Sequence, residues 1–120
     1  MKIKTSEATG LQLDWGLAIA DGSKPELKHG NIFVPFANFD GASLKLFSHA
    51  MPSVCMGLIK EYCIQLFPFY DFEDVRWDAD IRPDVRIVNC DTPEQAGARC
   101  GIAMKLGVEF EVPDELGVMG

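Results

Sequence analysis

The stretch Thr92-Pro93-Glu94-Gln95-Ala96-Gly97-Ala98-Arg99-Cys100-Gly101-Ile102-Ala103-Met104-Lys105-Leu106-Gly107-Val108-Glu109-Phe110-Glu111-Val112-Pro113 carries a helix and a strand with their ends marked. Thr92 offers a side-chain oxygen to the first free amides, Pro93 suits the first helical position, and Gln95 completes a capping box. Ala96, Cys100, Ala103 and Met104 make the buried stripe of the helix, and Ile102 and Leu106 widen it. Lys105 lies near the negative end of the dipole and Gly107 supplies the left-handed stop. Residues 108–112 then alternate strictly, with Val108, Phe110 and Val112 on the inner face of a half-buried strand closed by Pro113. Gly97 and Gly101 lie inside the helix, where they let a neighbour pack closely.

Upstream of this unit lies an acidic stretch. Asp71, Glu73, Asp74, Asp78, Asp80, Asp84 and Asp91 are opposed by Arg76, Arg82 and Arg86. Charges of both signs predict a solvated surface, with Val85-Arg86-Ile87-Val88 as a short strand. The aromatic run Phe67-Pro68-Phe69-Tyr70-Asp71-Phe72 precedes it. After Pro52, the spacing of Val54, Cys55, Leu58, Ile59, Tyr62, Cys63 and Leu66 predicts a helix of about 13–15 residues, stopped before Pro68. Asn31 to Phe36 is β-branched and aromatic but contains Pro35, so it predicts a short edge strand. Asn38 to Gly41 is a turn, and Ser43 to Phe47 is a second strand. Asp21 to Gly30 is polar and predicts a mobile loop. Leu11, Trp15, Leu17, Ala18 and Ile19 predict a helix of about two to three turns, preceded by a strand at Lys2-Ile3-Lys4. The expectation is one α+β domain over residues 1–120, with about three helices packed on a mostly antiparallel sheet of roughly three to five short strands.

Composition narrows the function classes. With 120 residues there is room for one core, and 48% hydrophobic content excludes a disordered or low-complexity chain. A formal charge of −7 argues against a protein that gains affinity by neutralising nucleic-acid phosphates, so no direct nucleic-acid binding is expected. No apolar run approaches the roughly 20 residues that span a bilayer, so no membrane role is expected. The charged opening Met1-Lys2-Ile3-Lys4 does not resemble a secretory leader, and a cytoplasmic protein with Cys55, Cys63, Cys90 and Cys100 as buried thiols is expected.

No catalytic constellation stands out. The cysteines and the histidines His29 and His49 lack zinc-site spacing, so neither metal nor cofactor is expected. Cys90 alone lies outside a strong apolar period, and Asp78-Ala79-Asp80 puts two carboxylates on one side of an extended segment. A small metal- or Cys-dependent hydrolase is therefore the alternative from a different class, and an acidic DNA mimic is another. Glycine-rich phosphate loops are absent. The aromatic-acidic segment is the more specific signal. Aromatic side chains rimmed by charge are common at protein interfaces, so the candidate interaction surface is Phe69, Tyr70, Asp71, Phe72, Glu73, Asp74, Trp77, Asp78 and Asp80.

Both ends of the chain resemble the NinX-like family of small phage proteins. The opening Met1-Lys2-Ile3-Lys4-Thr5-Ser6-Glu7, with Thr9-Gly10, Leu13-Asp14-Trp15 and Ala18, looks like the family's start. Ala98-Arg99-Cys100, Lys105-Leu106-Gly107 and Val112-Pro113-Asp114-Glu115-Leu116 are similar to its close. Residues 22–93 do not follow the family pattern. The resemblance implies a phage or prophage protein made in the bacterial cytoplasm and supplies no enzymatic activity. Its partner would be a host or phage protein, or a second copy in a homo-oligomer.

Overall fold

Helix α3 (Pro93–Leu106) is the element around which the chain assembles. The computed structural model describes residues 1–38, 41–82 and 84–117. Thr92 Oγ1 accepts from the Gln95 amide at 3.0 Å, and Gln95 Oε1 accepts from the Asp91 amide at 2.8 Å. The capping box therefore closes one residue further out than the Thr92 amide. Gly107 follows at φ 92°, a conformation that disfavours any residue with a Cβ. Every residue from Gln95 to Ile102 is buried, which exceeds a single stripe. Ala98 and Ile102 face one apolar cluster, and Ala96 and Cys100 face a second. Small residues at Ala96, Gly97, Ala98, Cys100 and Gly101 allow α3 to serve both.

The first cluster joins the two ends of the chain. Strand β1 (Lys2–Lys4) pairs antiparallel with β8 (Glu109–Glu111), placing Ile3 opposite Phe110. A 3-10 turn at Thr5–Glu7 and helix α1 (Leu11–Ala20) follow β1, and the short α4 (Asp114–Gly117) follows β8. Thr5 Oγ1 donates to the Gly107 carbonyl at 2.7 Å, and Gln12 Nε2 donates to that of Leu116 at 2.8 Å. Leu13, Leu17, Phe110, Val112 and Leu116 fill the space between them. Gly16 of α1 is needed there, because a Cβ would lie 2.7 Å from the Phe110 ring and 2.8 Å from Ile102 Cδ1. Gly101 meets the close-packing expectation against Leu58, whereas a Cβ at Gly97 would meet nothing.

Strands β2 (Glu26–Lys28), β3 (Asn31–Asn38) and β4 (Gly41–Leu46) form a second antiparallel sheet in that order. The expected loop thus contains a strand, and the expected edge strand is central. Proline is tolerated because β2 reaches only to Glu26 opposite Phe33, and Pro35 lies beyond it. Phe47 N donates to Ile32 O, so strand alternation puts Pro35 in a non-bonded pair with Leu44. Its missing N–H falls on the uncovered side. The middle of the expected turn, residues 39–40, lies outside the described residues.

Helix α2 (Pro52–Tyr62) is shorter than its periodicity predicts. Cys63 takes φ 53° and ends it, and Leu66 belongs to the following strand. Strands β5 (Gln65–Asp71), β6 (Asp74–Ile81) and β7 (Val85–Cys90) make an antiparallel meander, so the acidic stretch is largely sheet. Ile64, Ala79, Ile81, Ile87 and Cys90 pack on α3 as the second cluster. The α+β class holds, with four α-helices and three antiparallel sheets among the described residues. None of the described helices is long and apolar enough to cross a membrane.

Candidate functional site

The β5–β6 register runs from Gln65 opposite Asp80 to Asp71 opposite Asp74, leaving Phe72 and Glu73 as a two-residue turn. Hairpin turns of this length require positive φ, usually from glycine or asparagine. Here Phe72 supplies it, at φ 58° and 98% exposed. A bulky side chain in the left-handed region is strained, and nothing in the turn shelters this one.

Period-two alternation sorts the flanking residues. Leu66, Pro68 and Tyr70 share a face with Ala79, Trp77 and Val75. Leu66, Trp77 and Ala79 pack in the second cluster, but the hairpin outruns that support. Tyr70 is 81% exposed near its end. Phe67 and Phe69 lie on the opposite face, also exposed, in register with Asp78 and Arg76. Among the nine expected surface residues, Phe69, Tyr70, Phe72, Glu73 and Asp74 form an exposed tip. The Asp71 backbone pairs with Asp74, and its side chain lies outside the described residues. Trp77 is half-buried against the core, so it braces the hairpin from beneath.

Asp78 and Asp80 share one face of β6, as their spacing predicts, but each is shielded and has an arginine beside it. Arg86 Nη2 is 3.7 Å from Asp78 Oδ2, and Arg82 Nε is 3.7 Å from Asp80 Oδ2. Arg76 binds Asp91, and also donates to Asn89 Oδ1 at 2.8 Å and Asn89 O at 2.7 Å. Asn89, at φ 58°, donates its amide to Asp78 Oδ1 at 2.9 Å where the β6–β7 register shifts. The three arginines of the segment thus tie the sheet's own carboxylates, and Glu73 and Asp74 at the tip have no ion-pair partner among the described residues. No group of three His, Cys, Asp or Glu among the described residues is placed to hold a metal. Asp80 Oδ1 is buried without a hydrogen-bond partner among those residues.

All four cysteines are free. Cys90 and Cys100 are buried as expected; Cys55 is half-buried and Cys63 exposed, because the helix ends before it. Cys90 Sγ accepts from Arg99 Nη1 at 3.3 Å, while the buried Arg99 also donates through Nε to the Ala8 carbonyl at 2.9 Å. Burial raises the Cys90 thiol and outweighs the lowering by Arg99. Burial also pushes Cys100 up to about 12, with Asp80 adding to it. A nucleophile needs thiolate and access, and burial works against both.

One pair was not legible as a pair. Asp14, buried on α1, accepts at Oδ1 from the His49 amide at 2.7 Å, and His49 Nδ1 lies 2.7 Å from the same oxygen. An aspartate inside the apolar run Leu13-Asp14-Trp15 is a visible signal, but its partner lies 35 residues away and only the tertiary fold joins them. Neither the models of known protein families nor the curated proteins give a match to the chain.

Proposed function

We propose that this chain is a non-enzymatic accessory protein of a phage or prophage, acting by binding a host or phage protein through the tip of the β5–β6 hairpin. Phe72 carries the reading. A strained, almost fully exposed aromatic at a turn is difficult to explain by folding alone, and Tyr70 and Phe69 extend the apolar surface beside it. Aromatic anchors dominate binding energy at protein interfaces. Glu73 and Asp74 add negative charge at the same tip, favouring a partner patch that bears lysine or arginine. Pro68 in β5 lacks an N–H for a strand added along that edge, so contact through side chains is favoured over sheet extension. The resemblance of the chain ends to NinX-like proteins supports the phage setting.

Capture from a bacterial lysate, with mass spectrometry, tests this against the double variant Tyr70→Ser/Phe72→Gly. The wild type should retain a partner that the variant loses. Retention of the same partners by a folded variant would remove the hairpin from the interface. Sedimentation of the purified chain separates a second copy from a foreign partner.

A further inference from the structure

Away from the hairpin, a cleft of about 490 Å³ separates α2 from the β3–β4 pair, with the end of α1 as its floor. Apolar Leu17, Val34, Val54 and Leu58 share its lining with Lys45, two serines and two acids. Small-molecule sites fall in this size range and combine apolar walls with a few polar groups. Neighbouring elements in a folded domain ordinarily close such gaps. Helix α2 has no fully buried residue, although its sequence is amphipathic.

Three independent features bear on what the cleft takes. First, Gly57 lies on its wall in the interior of α2, where glycine weakens the helix. Nothing lies within 4 Å of the position its Cβ would take, so close packing does not require it there. Gly57 is exposed on the lining, so a longer side chain there has open space to occupy at the cleft. Second, Asp21 caps the C-terminal end of α1, and Glu61 lies in the last turn of α2; both line the cleft. Each acid stands at the negative end of its own helix dipole, an unfavourable placement that concentrates negative potential at this opening. Neither has an ion-pair partner among the described residues, while Lys45 at the rim already has an interaction of its own. Third, the segment supplying Phe47 and Met51 is fastened to α1 by both bonds from His49 to Asp14. That wall is therefore fixed before anything enters.

We propose that this cleft binds a small amine, with an apolar body among Leu17, Val54 and Leu58 and an ammonium group drawn to Asp21 and Glu61. The site is separate from the hairpin and does not depend on its role. Titration of the full chain with 2-phenylethylamine, followed by methyl NMR, is the test, with 3-phenylpropionate as the probe of equal size and opposite charge. The amine should saturate shifts at Leu17, Val34, Val54 and Leu58 with a Kd below about 5 mM, as fits a fragment of this size, and the acid should bind at least about fivefold more weakly. Gly57→Leu should abolish the amine shifts while its thermal melt stays cooperative. Asp21→Asn/Glu61→Gln, both at exposed positions, should weaken the amine at least about fivefold and erase its preference over the acid. Absence of saturation, equal affinity for the two probes, or undiminished binding by either folded variant would overturn the proposal.

Discussion

Replacing Phe72 by glycine should make the protein more stable while removing the most exposed aromatic side chain among the described residues. At 98% exposure the ring loses almost nothing in water-excluded area on deletion, about 0.1 kcal/mol at the usual coefficient. An L-residue at φ 58° costs about 1–2 kcal/mol relative to glycine, and the extra unfolded-chain entropy of glycine returns about 0.5–1 kcal/mol of that. The net expectation is a gain of about 0.5–1 kcal/mol, or about 2–6 °C in Tm for a domain of this size. Phe72→Ala keeps the strain and removes the ring, so it should lie within about 0.5 kcal/mol of the wild type. Paired urea and thermal melts of the three proteins separate backbone from side chain. A Phe72→Gly protein less stable than wild type, or a Phe72→Ala protein destabilised by more than about 1 kcal/mol, would show that the ring is packed. The strain argument for a binding role would then fail.

The glycines give a paired test of packing by chemical denaturation. Gly16→Ala should destabilise by about 1–3 kcal/mol, because its Cβ would overlap Phe110 and Ile102, whereas Gly97→Ala meets open space and should stabilise by about 0.5–1 kcal/mol. Iodoacetamide labelling with peptide mapping should modify Cys63 quickly and Cys90 and Cys100 only on unfolding. The Cys100 thiol is held up to about 12 from an ordinary 9.0, so the folded state keeps a proton that the unfolded state releases. Its contribution to stability is full below pH 9 and lost as pH rises toward 12, and by pH 10 the loss should be on the order of 1 kcal/mol in urea melts. Asp14→Ala should cost about 1–3 kcal/mol by leaving the His49 amide without its acceptor, and deuterium exchange should rise first over residues 47–51.

Local chemistry made α3 and β8 readable. Thr92, Pro93, Gln95, Gly107 and Pro113 each act within a few residues and mark the element ends, whereas Met104 and Val108, expected to face inward, are exposed, and β8 spans only Glu109–Glu111. Tertiary choices were less visible. Periodicity carried α2 through Leu66 because an apolar position at helical spacing is also an inward position on a strand, and only Cys63 in the left-handed conformation separates the two. The acidic stretch concealed β6 because its outward positions hold Asp78 and Asp80 and its inward ones include only the small Ala79 between them. Pro35 suggested an edge strand, but β3 is central, because β2 ends opposite Phe33 and leaves only the Pro35 end uncovered on that side. The aromatic segment was visible as a candidate surface, yet its division into an exposed tip and an inward Trp77 required the strand register. Asp14 and His49 could not be joined without the fold.

Residues 2–4 pair with residues 109–111, which has a consequence for how the molecule comes into being. During synthesis from the N-terminus, Ile3, Leu13 and Leu17 must wait for Phe110, Val112 and Leu116 before their cluster can close. The β5–β7 meander has mostly short-range partners and can form earlier, giving α3 a prepared surface to dock against. Closing the long loop adds entropy cost only logarithmically in its length, so the delay lies in chain availability more than in thermodynamics. An unfinished chain would present an aromatic hairpin before its first core existed, and that interval is when the growing protein is most open to association.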